Sequence, residues 1–471
     1  MLPTEDPYNP VIFARFRGNP STAKQRKKIL FYGHYDVVAA ENDHGKWLTD
    51  PFSMEGIDGY LYGRGTSDNK GPIMAAIFAC AELTAQQSLG SDIIFLIEGE
   101  EECGSRGFAK AVKQYKELIG PVDWILLANS YWLDDRIPCL TYGLRGVIHA
   151  TVQVESSHPD LHSGVDGSAQ LDEALKDLVV LLSTLTGMHG KVKIPGFYDP
   201  IPELSEEEER LYTDITEALV ARNPDLGDPK DLAASLMRRW REASLTIHRF
   251  QTSGPDNATI IPRLAKAALS IRLVPNQEAD QVAQMLTSYL KSEFDKLGSH
   301  NKLTVTIDHQ AEPWLGDLDN QIFQTLESAI MDVWGPIGES VRRQSFPTSA
   351  PFKLTIPKEE GYFATKPSPT TSTVLANGSV ITPLGLGESK QQYPDTAPAN
   401  DNARRKPLYI REGGSIPAIR FLEKEFGAPA AHLPCGQASD SAHLDNERLR
   451  LVNLYKSKDI FRKVFRDLPQ R

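Results

Sequence analysis

The sequence predicts an α/β protein in which a mixed sheet is flanked by helices and a smaller α+β unit is inserted. Residues 29–144 alternate short apolar runs with helical segments, which is the element order of an α/β domain. From Val147 the pattern changes to strands of alternating polarity and two longer helices. In addition, acidic and histidine residues follow the ends of the first apolar runs, which indicates a functional site at one sheet edge.

The first part of the chain is predicted to alternate between strands and helices. The apolar runs Ile29–Tyr32, Ile93–Ile97 and Trp124–Ala128 are short and continuous, as in buried strands. The segments Pro72–Gln87 and Phe108–Leu118 have helical character. We therefore expect the runs to end at a common edge of one sheet.

The next part is predicted to form two helices on a small antiparallel sheet. Polar and apolar residues alternate at His149–Glu155, Ala267–Val274 and Lys302–Ile307, as in half-buried strands. Longer helical patterns lie near Leu171–Leu185 and at Glu278–Leu297. This order of elements is satisfied when both helices cover the apolar face of the sheet.

The last part of the chain interrupts the α/β pattern and then resumes it. Residues 335–407 are rich in Ser, Thr, Pro, Gly and Lys, and such composition buries too little apolar area to order itself. We therefore predict a disordered insertion at about 336–408. Helix and strand character return at Gly413–Phe426 and Ala430–Pro434. The predicted domains are the first part of the α/β domain (1–144), the inserted domain (145–318) and the second part of the α/β domain (319–471).

The composition excludes some classes of partner. The 471 residues carry a net charge of −11, whereas nucleic acid and anionic membranes require clustered Lys and Arg, so we expect neither partner. The four cysteines form no CxxC pair, which favours a reducing compartment. Residues 1–10 contain no basic region followed by an apolar stretch, so we expect no secretory signal, and no segment has 18 consecutive apolar residues. We therefore expect a cytoplasmic location, with the nucleus as an alternative.

Five residues predict a metal site: His34, Asp36, Asp68, Glu101 and Glu102. Clustered carboxylates beside an imidazole in a partly buried cleft are unfavourable by several kcal/mol unless a cation neutralises them. Asp36 lies two residues after His34, on the same face of an extended segment, and can accept the second imidazole N–H. Of two adjacent glutamates, one can bind metal while the other takes a proton from water.

Each of these features also has a simpler explanation. His34 could be a solvated loop residue, Asp68 could only cap the helix that Pro72 opens, and Glu98–Glu102 could be a solvated charge run. None of these explanations accounts for acidic residues that follow successive apolar runs. The combination therefore favours a hydrolytic metal centre.

The chain resembles the dinuclear-zinc metallopeptidase family that includes carnosinases, cytosolic nonspecific dipeptidase, bacterial glutamate carboxypeptidase and aminoacylase. The motifs that carry the resemblance, in family order, are GHYD (33–36), YGRGTSDNKGP (62–72), EGEEECGS (98–105), YGLRG (142–146), DLHSG (160–164), IPR (261–263), SIRLVPN (270–276), REGGSIP (411–417) and SAHLDNE (441–447). Within the family, SDNKGP (67–72), VDWILLANSYW (122–132), SGP (253–255), WLGD (314–317) and LPCGQ (433–437) resemble the peptidase-like subunit of the fungal glutathione-degrading complex.

The resemblance implies a zinc-peptidase catalytic domain and an inserted ferredoxin-like α+β domain that acts as a lid and in dimerisation. It implies two zinc ions per chain, with manganese or cobalt as alternatives. His34 and Asp68 would hold one metal, and Asp68, Glu102 and His443 the other, so that Asp68 bridges them. Carnosinase-like members have an aspartate as third ligand of the first metal, where this chain has Asn129. An amide oxygen binds zinc more weakly, so we expect reduced zinc occupancy.

The resemblance also implies catalytic and substrate-binding roles. Glu101 would be the general base and Asp36 the partner of His34. His162 would reach across a homodimer and polarise the scissile carbonyl of the partner's substrate. The residues that would hold the carboxylate end of the substrate are Arg272, Ser415, Thr259 and His309. Only 33 residues precede His34, fewer than in family members, so we expect a piece of a longer protein.

The predicted function is metal-dependent hydrolysis of short peptides by a dipeptidase-like component of a complex that degrades glutathione and other γ-glutamyl peptides. The expected partners are a short peptide substrate, a second copy of the chain and a glutamine-amidotransferase-like subunit. One alternative is a catalytically weakened scaffold or binding subunit for that partner, which Asn129 favours. Another is hydrolysis of N-acyl amino acids, against which the YGLRG and REGGSIP matches weigh.

Overall fold

The computed structural model describes residues 1–5, 7–22, 26–41, 45–166, 168–335 and 406–468. The strands are β1 (Ile12–Phe16), β2 (Lys28–His34), β3 (Glu55–Ile57), β4 (Tyr60–Tyr62), β5 (Asp92–Glu98), β6 (Trp124–Leu127), β7 (Cys139–Leu144), β8 (Gly146–Glu155), β9 (Leu161–His162), β10 (Ser244–Thr252), β11 (Ile260–Ile261), β12 (Leu264–Leu273), β13 (Lys302–Ala311), β14 (Trp314–Leu315), β15 (Leu408–Glu412), β16 (Ala430–His432) and β17 (Arg448–Arg450). The helices are α1 (Gly71–Ala85), α2 (Phe108–Gln114), α3 (Lys116–Ile119), α4 (Ala174–Ser183), α5 (Glu206–Arg222), α6 (Pro229–Trp240), α7 (Ala279–Leu297), α8 (Gln321–Trp334), α9 (Pro417–Phe426) and α10 (Leu451–Asp467).

The main sheet is mixed. Its strands lie in the order β1-β5-β2-β6-β16-β7-β14, and β15 pairs with β7. Strands β5, β2, β6 and β16 are parallel, whereas β1 and β7 run antiparallel to their neighbours β5 and β16. The parallel centre accounts for the continuous apolar runs, because helices cover both faces of such strands.

Aromatic pairs show how the helices cover the main sheet. Phe31 of β2 packs against Phe461 of α10, with ring centroids 5.6 Å apart. The next residue, Tyr32, packs on the opposite face against Phe108 of α2 at 5.5 Å. Because successive side chains of a strand point to opposite faces, β2 is enclosed on both sides. The predicted α/β sheet flanked by helices is confirmed.

The second sheet has the strand order β10-β12-β8-β13, and all its neighbours are antiparallel. Strands and helices alternate along the chain as β8-α4-β10-β12-α7-β13, with two further helices before β10. Numbered along the chain, the four strands lie in the order 2-3-1-4, which is the ferredoxin-like arrangement. Helices α4 and α7 share one apolar core with one face of the sheet, as predicted.

Helices α5 and α6, which precede β10, were not predicted. Ser205 caps α5 by accepting a hydrogen bond from the backbone N–H of Glu208. Asp228 caps α6 in the same way, and Pro229 follows at the first helical position. These capping residues are readable signals of helix starts. The two helices pack against β15 in a separate small core that includes Trp240.

The predicted domain limits at residues 144/145 and 318/319 stay predictions. The predicted insertion at about 336–408 lies outside the described residues, apart from residues 406–408, and Leu408 begins β15. In the described part of the chain, no helix is both long and apolar enough to cross a membrane.

Candidate metal centre

Three parallel strands end together at one edge of the main sheet. In the strand register His34 of β2 lies opposite Glu98 of β5, and Tyr32 of β2 lies opposite Leu127 of β6. The segments that follow these strands carry Asp36, the Glu101–Glu102 pair and Asn129. The carboxyl ends of parallel strands are where α/β proteins place their sites.

Asp68 lies between two histidines at this edge. Its Oδ1 is 2.9 Å from Nε2 of His34, and its Oδ2 is 3.0 Å from Nε2 of His443. The same nitrogen of His443 is 3.2 Å from Oε2 of Glu102. Ligand atoms of His34, Asp68 and Glu102 all lie within 4.8 Å of one another. The structure therefore brings together four predicted ligands, with Asp68 in the middle: His34, Asp68, Glu102 and His443.

The donor atoms of this cluster fit a transition metal. Imidazole nitrogens and carboxylate oxygens are the ligands of zinc, and they also suit manganese and cobalt. Among the described residues, no Lys or Arg nitrogen lies within 4 Å of a side-chain oxygen of Asp36, Asp68, Glu101 or Glu102. A metal ion would add positive charge where, among the described residues, neither Lys nor Arg does.

Shifted pKa values show that the cluster favours cations. Burial would raise the pKa of Asp68, but hydrogen bonds from His34 and His443 hold it well below its usual range. Hydrogen bonds to Asp68 and Glu102 raise the pKa of His443 to about 10. Burial would lower the pKa of His34, but its bonds to Asp36 and Asp68 raise it. Both imidazoles thus lie in a strongly negative field.

Asp36 joins His34 to the segment that carries the glutamates. Its Oδ1 is 3.4 Å from Nδ1 of His34, and its Oδ2 accepts the backbone N–H of Glu102 at 2.9 Å. Nδ1 of His34 also donates to the backbone carbonyl of Asp36 at 3.2 Å, and the role of the Asp36 carboxylate in orienting the imidazole stays a prediction. Burial raises the pKa of the neighbouring Glu101 to about 7; the charge of His34 opposes this shift and that of Asp68 adds to it. A carboxyl group with a pKa near neutrality suits a general base.

Asn129 lies on the His34 side of the cluster. Its Nδ2 is 3.4 Å from Nε2 of His34, while its Oδ1 accepts the backbone N–H of Ser130 at 2.6 Å. Nε2 of His432 donates to the backbone carbonyl of Asn129 at 2.7 Å. In this arrangement the amide presents its NH₂ group to His34 and keeps its oxygen for the backbone.

Glu447 supports the loop that carries Asp68, a role that the sequence analysis missed. Its buried carboxylate accepts from Nη1 of Arg64 at 2.8 Å and from the backbone N–H of Gly65 at 2.9 Å. It also accepts the backbone N–H groups of Ser67 and Asp68, each at 3.0 Å. The only signal in the sequence was its position in the SAHLDNE motif.

Asn69 and Glu98 were also missed. The Oδ1 of Asn69 accepts the backbone N–H of His34 at 3.3 Å, and its Nδ2 donates to the carbonyl of Ala128. Asn69 thereby ties the ends of β2 and β6 together. Glu98 accepts a 2.5 Å hydrogen bond from the hydroxyl of Tyr32, and burial raises its pKa to about 8.

His309 and Arg272, two of the predicted substrate residues, lie on the second sheet. His309 of β13 contacts the loop of the glutamate pair, because a Cβ at Gly104 would be only 2.8 Å from its Cε1. Arg272 of β12 is partly buried, and burial lowers its pKa. Ser415 follows β15 and comes directly after Gly414, whose carbonyl accepts the backbone N–H of Arg145 at 3.1 Å.

Thr259 and His162 lie together but form no contact with the cluster in the described part of the chain. His162 of β9 pairs with Ile260 of β11, and the carbonyl of Thr259 accepts the backbone N–H of Ser163 at 2.8 Å. The imidazole of His162 is exposed, and its Nδ1 accepts the backbone N–H of Gly164 at 3.2 Å. Neither residue therefore acts on the cluster of its own chain in this structure.

The fold and the cluster agree with a match to one family. Residues 30–361 match the family described as "Peptidase family M20/M25/M40". The chain belongs to this family. Membership of the predicted metallopeptidase family is thereby confirmed, and the cluster at the sheet edge is the candidate metal centre of an M20 metallopeptidase.

Named relatives of this M20 chain include fungal peptidases. "Probable di- and tripeptidase DUG2" of Saccharomyces cerevisiae is 37% identical over 474 residues, which is 99% of this chain and 45% of that protein. The chain thus spans about half the length of DUG2. "Cys-Gly metallodipeptidase DUG1" of Candida albicans is 31% identical, with 94% of this chain and 78% of that protein aligned.

Solved structures of M20 peptidases share the fold. The dipeptidase Dug1p of Saccharomyces cerevisiae superposes with a TM-score of 0.68 at 27% identity, covering 100% of this chain and 85% of that one. Human carnosine dipeptidase 1 gives a TM-score of 0.66 at 28% identity, covering 99% of this chain and 85% of that one. The predicted zinc-peptidase fold with its inserted ferredoxin-like sheet is confirmed.

Proposed function

We propose that this chain is a metal-dependent dipeptidase that hydrolyses short peptides at the edge of the main sheet. The observation that carries the proposal is the position of Asp68, whose two oxygens face His34 and His443 at 2.9 and 3.0 Å. A carboxylate held in this way between two imidazoles suits a bridge between two metal ions. The chain is also similar in sequence to DUG1, which is named a metallodipeptidase, and this similarity supports the same class of reaction.

The proposed cofactors are two zinc ions per chain, with manganese or cobalt as alternatives. His34, Asp68 and Asn129 would hold the first ion, and Asp68, Glu102 and His443 the second. When bound, the ions lower the pKa of water and polarise the scissile carbonyl. The amide of Asn129 must turn its oxygen to the ion to serve as a ligand, at the expense of its bond to Ser130.

Glu101 is the proposed general base. Its pKa of about 7, raised by burial, allows it to take a proton from water near neutral pH and to return it to the leaving amine. Asp36 orients His34 and, through its bond to the backbone of Glu102, fixes the segment that carries the base. The roles proposed for Glu101 and Asp36 thus depend on where their two carboxylates lie beside His34 and Glu102.

The carboxylate end of the peptide is proposed to bind at Arg272 and Ser415, with His309 beside them. Thr259 lies with His162 and, like it, would act in the site of the other subunit. The planar guanidinium of Arg272 can bind a carboxylate through two hydrogen bonds. His309 supports this location because its imidazole packs on Gly104, next to the segment of Glu101. The second sheet would thereby contribute residues to the substrate site beside the cluster.

A homodimer is proposed because His162 is exposed and, among the described residues, makes no contact with the cluster of its own chain. It would polarise the scissile carbonyl in the site of the other subunit, where one such donor contributes about 3 kcal/mol to transition-state stabilisation. Strand β10 is the edge of the second sheet and exposes Ile247 and Phe250. An edge strand with exposed apolar side chains fits a protein interface.

The proposed substrates are Cys-Gly and, within a larger complex, glutathione and other γ-glutamyl peptides. Two relatives support this choice of substrates, because DUG1 is named a Cys-Gly metallodipeptidase and DUG2 a probable di- and tripeptidase. The complex would include a glutamine-amidotransferase-like partner, and its location would be cytoplasmic.

The second candidate is a scaffold or binding subunit with weakened catalysis. It is favoured by Asn129, whose NH₂ group faces His34 at 3.4 Å while its oxygen is engaged by Ser130. This orientation supplies no negative charge and no free oxygen for the first ion. In this case γ-glutamyl peptide hydrolysis would require the partner subunit.

The experiment that separates the candidates measures hydrolysis of Cys-Gly and of glutathione by the zinc-loaded chain, with and without the amidotransferase-like partner. An autonomous dipeptidase cleaves Cys-Gly alone. A scaffold subunit leaves Cys-Gly intact and supports glutathione cleavage only when the partner is present. Absence of cleavage under every condition contradicts both.

A further inference from the structure

Two arginines from distant parts of the sequence, Arg145 and Arg239, contact the loop Gly413–Ser415, and a third, Arg272, lies close to Arg145. Arg145 precedes β8, Arg239 lies in the last turn of α6, and Arg272 lies in β12. The proposed function uses only Arg272, for one carboxylate. The other two arginines have no role in it.

Contacts with Gly413 place Arg145 and Arg239 side by side. A Cβ at Gly413 would be 3.4 Å from Nη2 of Arg145 and 3.8 Å from Cγ of Arg239. Nε of Arg145 donates to the carbonyl of Gly413, and its Nη1 donates to that of Glu242, both at 3.3 Å. These two bonds hold the guanidinium in place and leave Nη2 available.

The strand register brings Arg272 to the same place. In the antiparallel register Arg272 of β12 lies opposite Val147 of β8, which is two residues along the chain from Arg145. Arg272 also lies opposite Ser244 of β10, two residues after the Glu242 carbonyl that binds Arg145. The segments that carry Arg145, Glu242 and Arg272 therefore lie next to one another.

These three guanidinium groups lack an acidic partner. In the described ranges, no Asp or Glu oxygen lies within 4 Å of a side-chain nitrogen of Arg145, Arg239 or Arg272, whereas Arg411 and Arg241 nearby both pair with Glu208. The nearest acidic residue in the loop, Glu412, hydrogen-bonds to Thr141 instead. Burial and the charges of Arg272 and Arg239 lower the pKa of Arg145 to about 10. Like charges so close together are unfavourable until an anion binds.

We propose that Arg145 and Arg239 form a subsite for a second carboxylate, so that, besides peptides ending in glycine, the chain accepts a C-terminal aspartate or glutamate in preference to the corresponding amide. This inference rests on the proposed function, in which Arg272 and Ser415 hold the α-carboxylate. The side-chain carboxylate of the same residue then extends along the Gly413–Ser415 loop to Arg145 and Arg239. A planar guanidinium that is already oriented by two carbonyls suits carboxylate recognition.

The test compares Ala-Glu with Ala-Gln, which differ only in a carboxylate and an amide, using the metal-loaded full chain. We expect kcat/KM to be about tenfold higher for Ala-Glu, the size of one charge-assisted hydrogen bond, and to lose this preference as salt rises. Arg239→Gln is expected to raise KM for Ala-Glu about fivefold while leaving Ala-Gln unchanged. Arg145→Lys keeps the positive charge but loses the planar guanidinium. It should likewise lower the ratio of kcat/KM for Ala-Glu to that for Ala-Gln.

The matched control is Arg238→Gln, because Arg238 is exposed like Arg239 and lies next to it on the same helix, but does not contact Gly413. This variant should leave both peptides unaffected. Equal effects of the two helix variants would show a general charge effect and overturn the subsite. Cleavage of both peptides without preference would overturn it while the proposed function stands. If neither peptide is cleaved although Cys-Gly is, the subsite is overturned while the proposed function stands; if Cys-Gly is not cleaved either, the proposed function fails and the subsite fails with it.

Discussion

Glu447 accepts the backbone N–H of Asp68 at 3.0 Å, although the two residues are 379 positions apart. The same carboxylate binds Arg64, and both side chains of that ion pair are buried. Asp68 is thus fixed by a residue near the end of the chain. The loop can carry a carboxylate between two imidazoles because its own N–H groups are already satisfied.

Replacement of Glu447 by alanine is expected to destabilise the protein strongly. The change leaves the guanidinium of Arg64 and several backbone N–H groups buried without an acceptor, at a cost of about 3–5 kcal/mol in the free energy of unfolding. Urea unfolding of the wild type and of Glu447→Ala measures this loss of stability. Glu173→Ala, at an exposed ion pair with Lys176, is the control and should change little. Equal effects of both variants would show that the Asp68 loop does not depend on Glu447.

Glu101→Gln is expected to abolish turnover while the metal content is unchanged. The amide cannot accept the proton from water, whereas His34, Asp68, Glu102 and His443 are untouched. Turnover of Cys-Gly and elemental analysis of the same preparation measure the two effects. Retained turnover would exclude Glu101 as the base, and loss of metal would show that it is a ligand.

His162→Ala is expected to lower turnover by about 10²- to 10³-fold, the usual effect of removing one oxyanion donor. If the donor comes from the other subunit, mixing this variant with Asp68→Asn should restore activity. Each mixed dimer then contains one site with both an intact cluster and an intact His162. No recovery in mixed dimers, with exchange of subunits shown by mass spectrometry, would argue against a shared site.

Asn129→Asp is expected to strengthen metal binding. The carboxylate restores an oxygen ligand and a negative charge beside His34, so affinity for the more weakly held ion should rise about tenfold or more. Competition with a chelator measures it. Asn320→Asp, which adds the same charge at the N-cap of α8, is the control. Unchanged chelator competition would show that residue 129 does not face an ion.

His432 is expected to make the protein less stable in mild acid. Burial lowers its pKa to about 4, against about 6.5 in the unfolded chain, although its bond to the carbonyl of Asn129 opposes the shift. Between these values only the unfolded chain binds the proton. Stability is therefore complete above pH 6.5 and falls by about 1.4 kcal/mol per unit as the pH decreases toward 4.

His432→Gln removes this titration while keeping a side-chain donor. Between pH 7 and pH 5 we expect the wild type to lose about 2 kcal/mol more of its free energy of unfolding than the variant. Urea unfolding at the two pH values measures the difference, and the exposed His158→Gln is the control. Parallel pH profiles for wild type and His432→Gln would contradict the account.

The apolar runs predicted the sheet edge because burial on both faces leaves a continuous signal in the sequence. His34, Asp68 and Glu102 were therefore found from their positions at strand ends, and they do lie together. Glu447 and Asn69 could not be assigned, because their hydrogen bonds join loops that are far apart in the chain. Arg145 and Arg239, which both contact Gly413, were missed for the same reason, because they come from separate elements of the chain.

The most direct test of the account is the metal content of the purified chain, measured together with Cys-Gly hydrolysis before and after chelation. The account predicts about two zinc ions per chain, the count that a two-metal hydrolase requires, and activity that is lost with the metal and returns with zinc. Cys-Gly hydrolysis by a chain without metal would contradict the account. So would stable binding of two ions after His443 and Asp68 are both replaced by alanine.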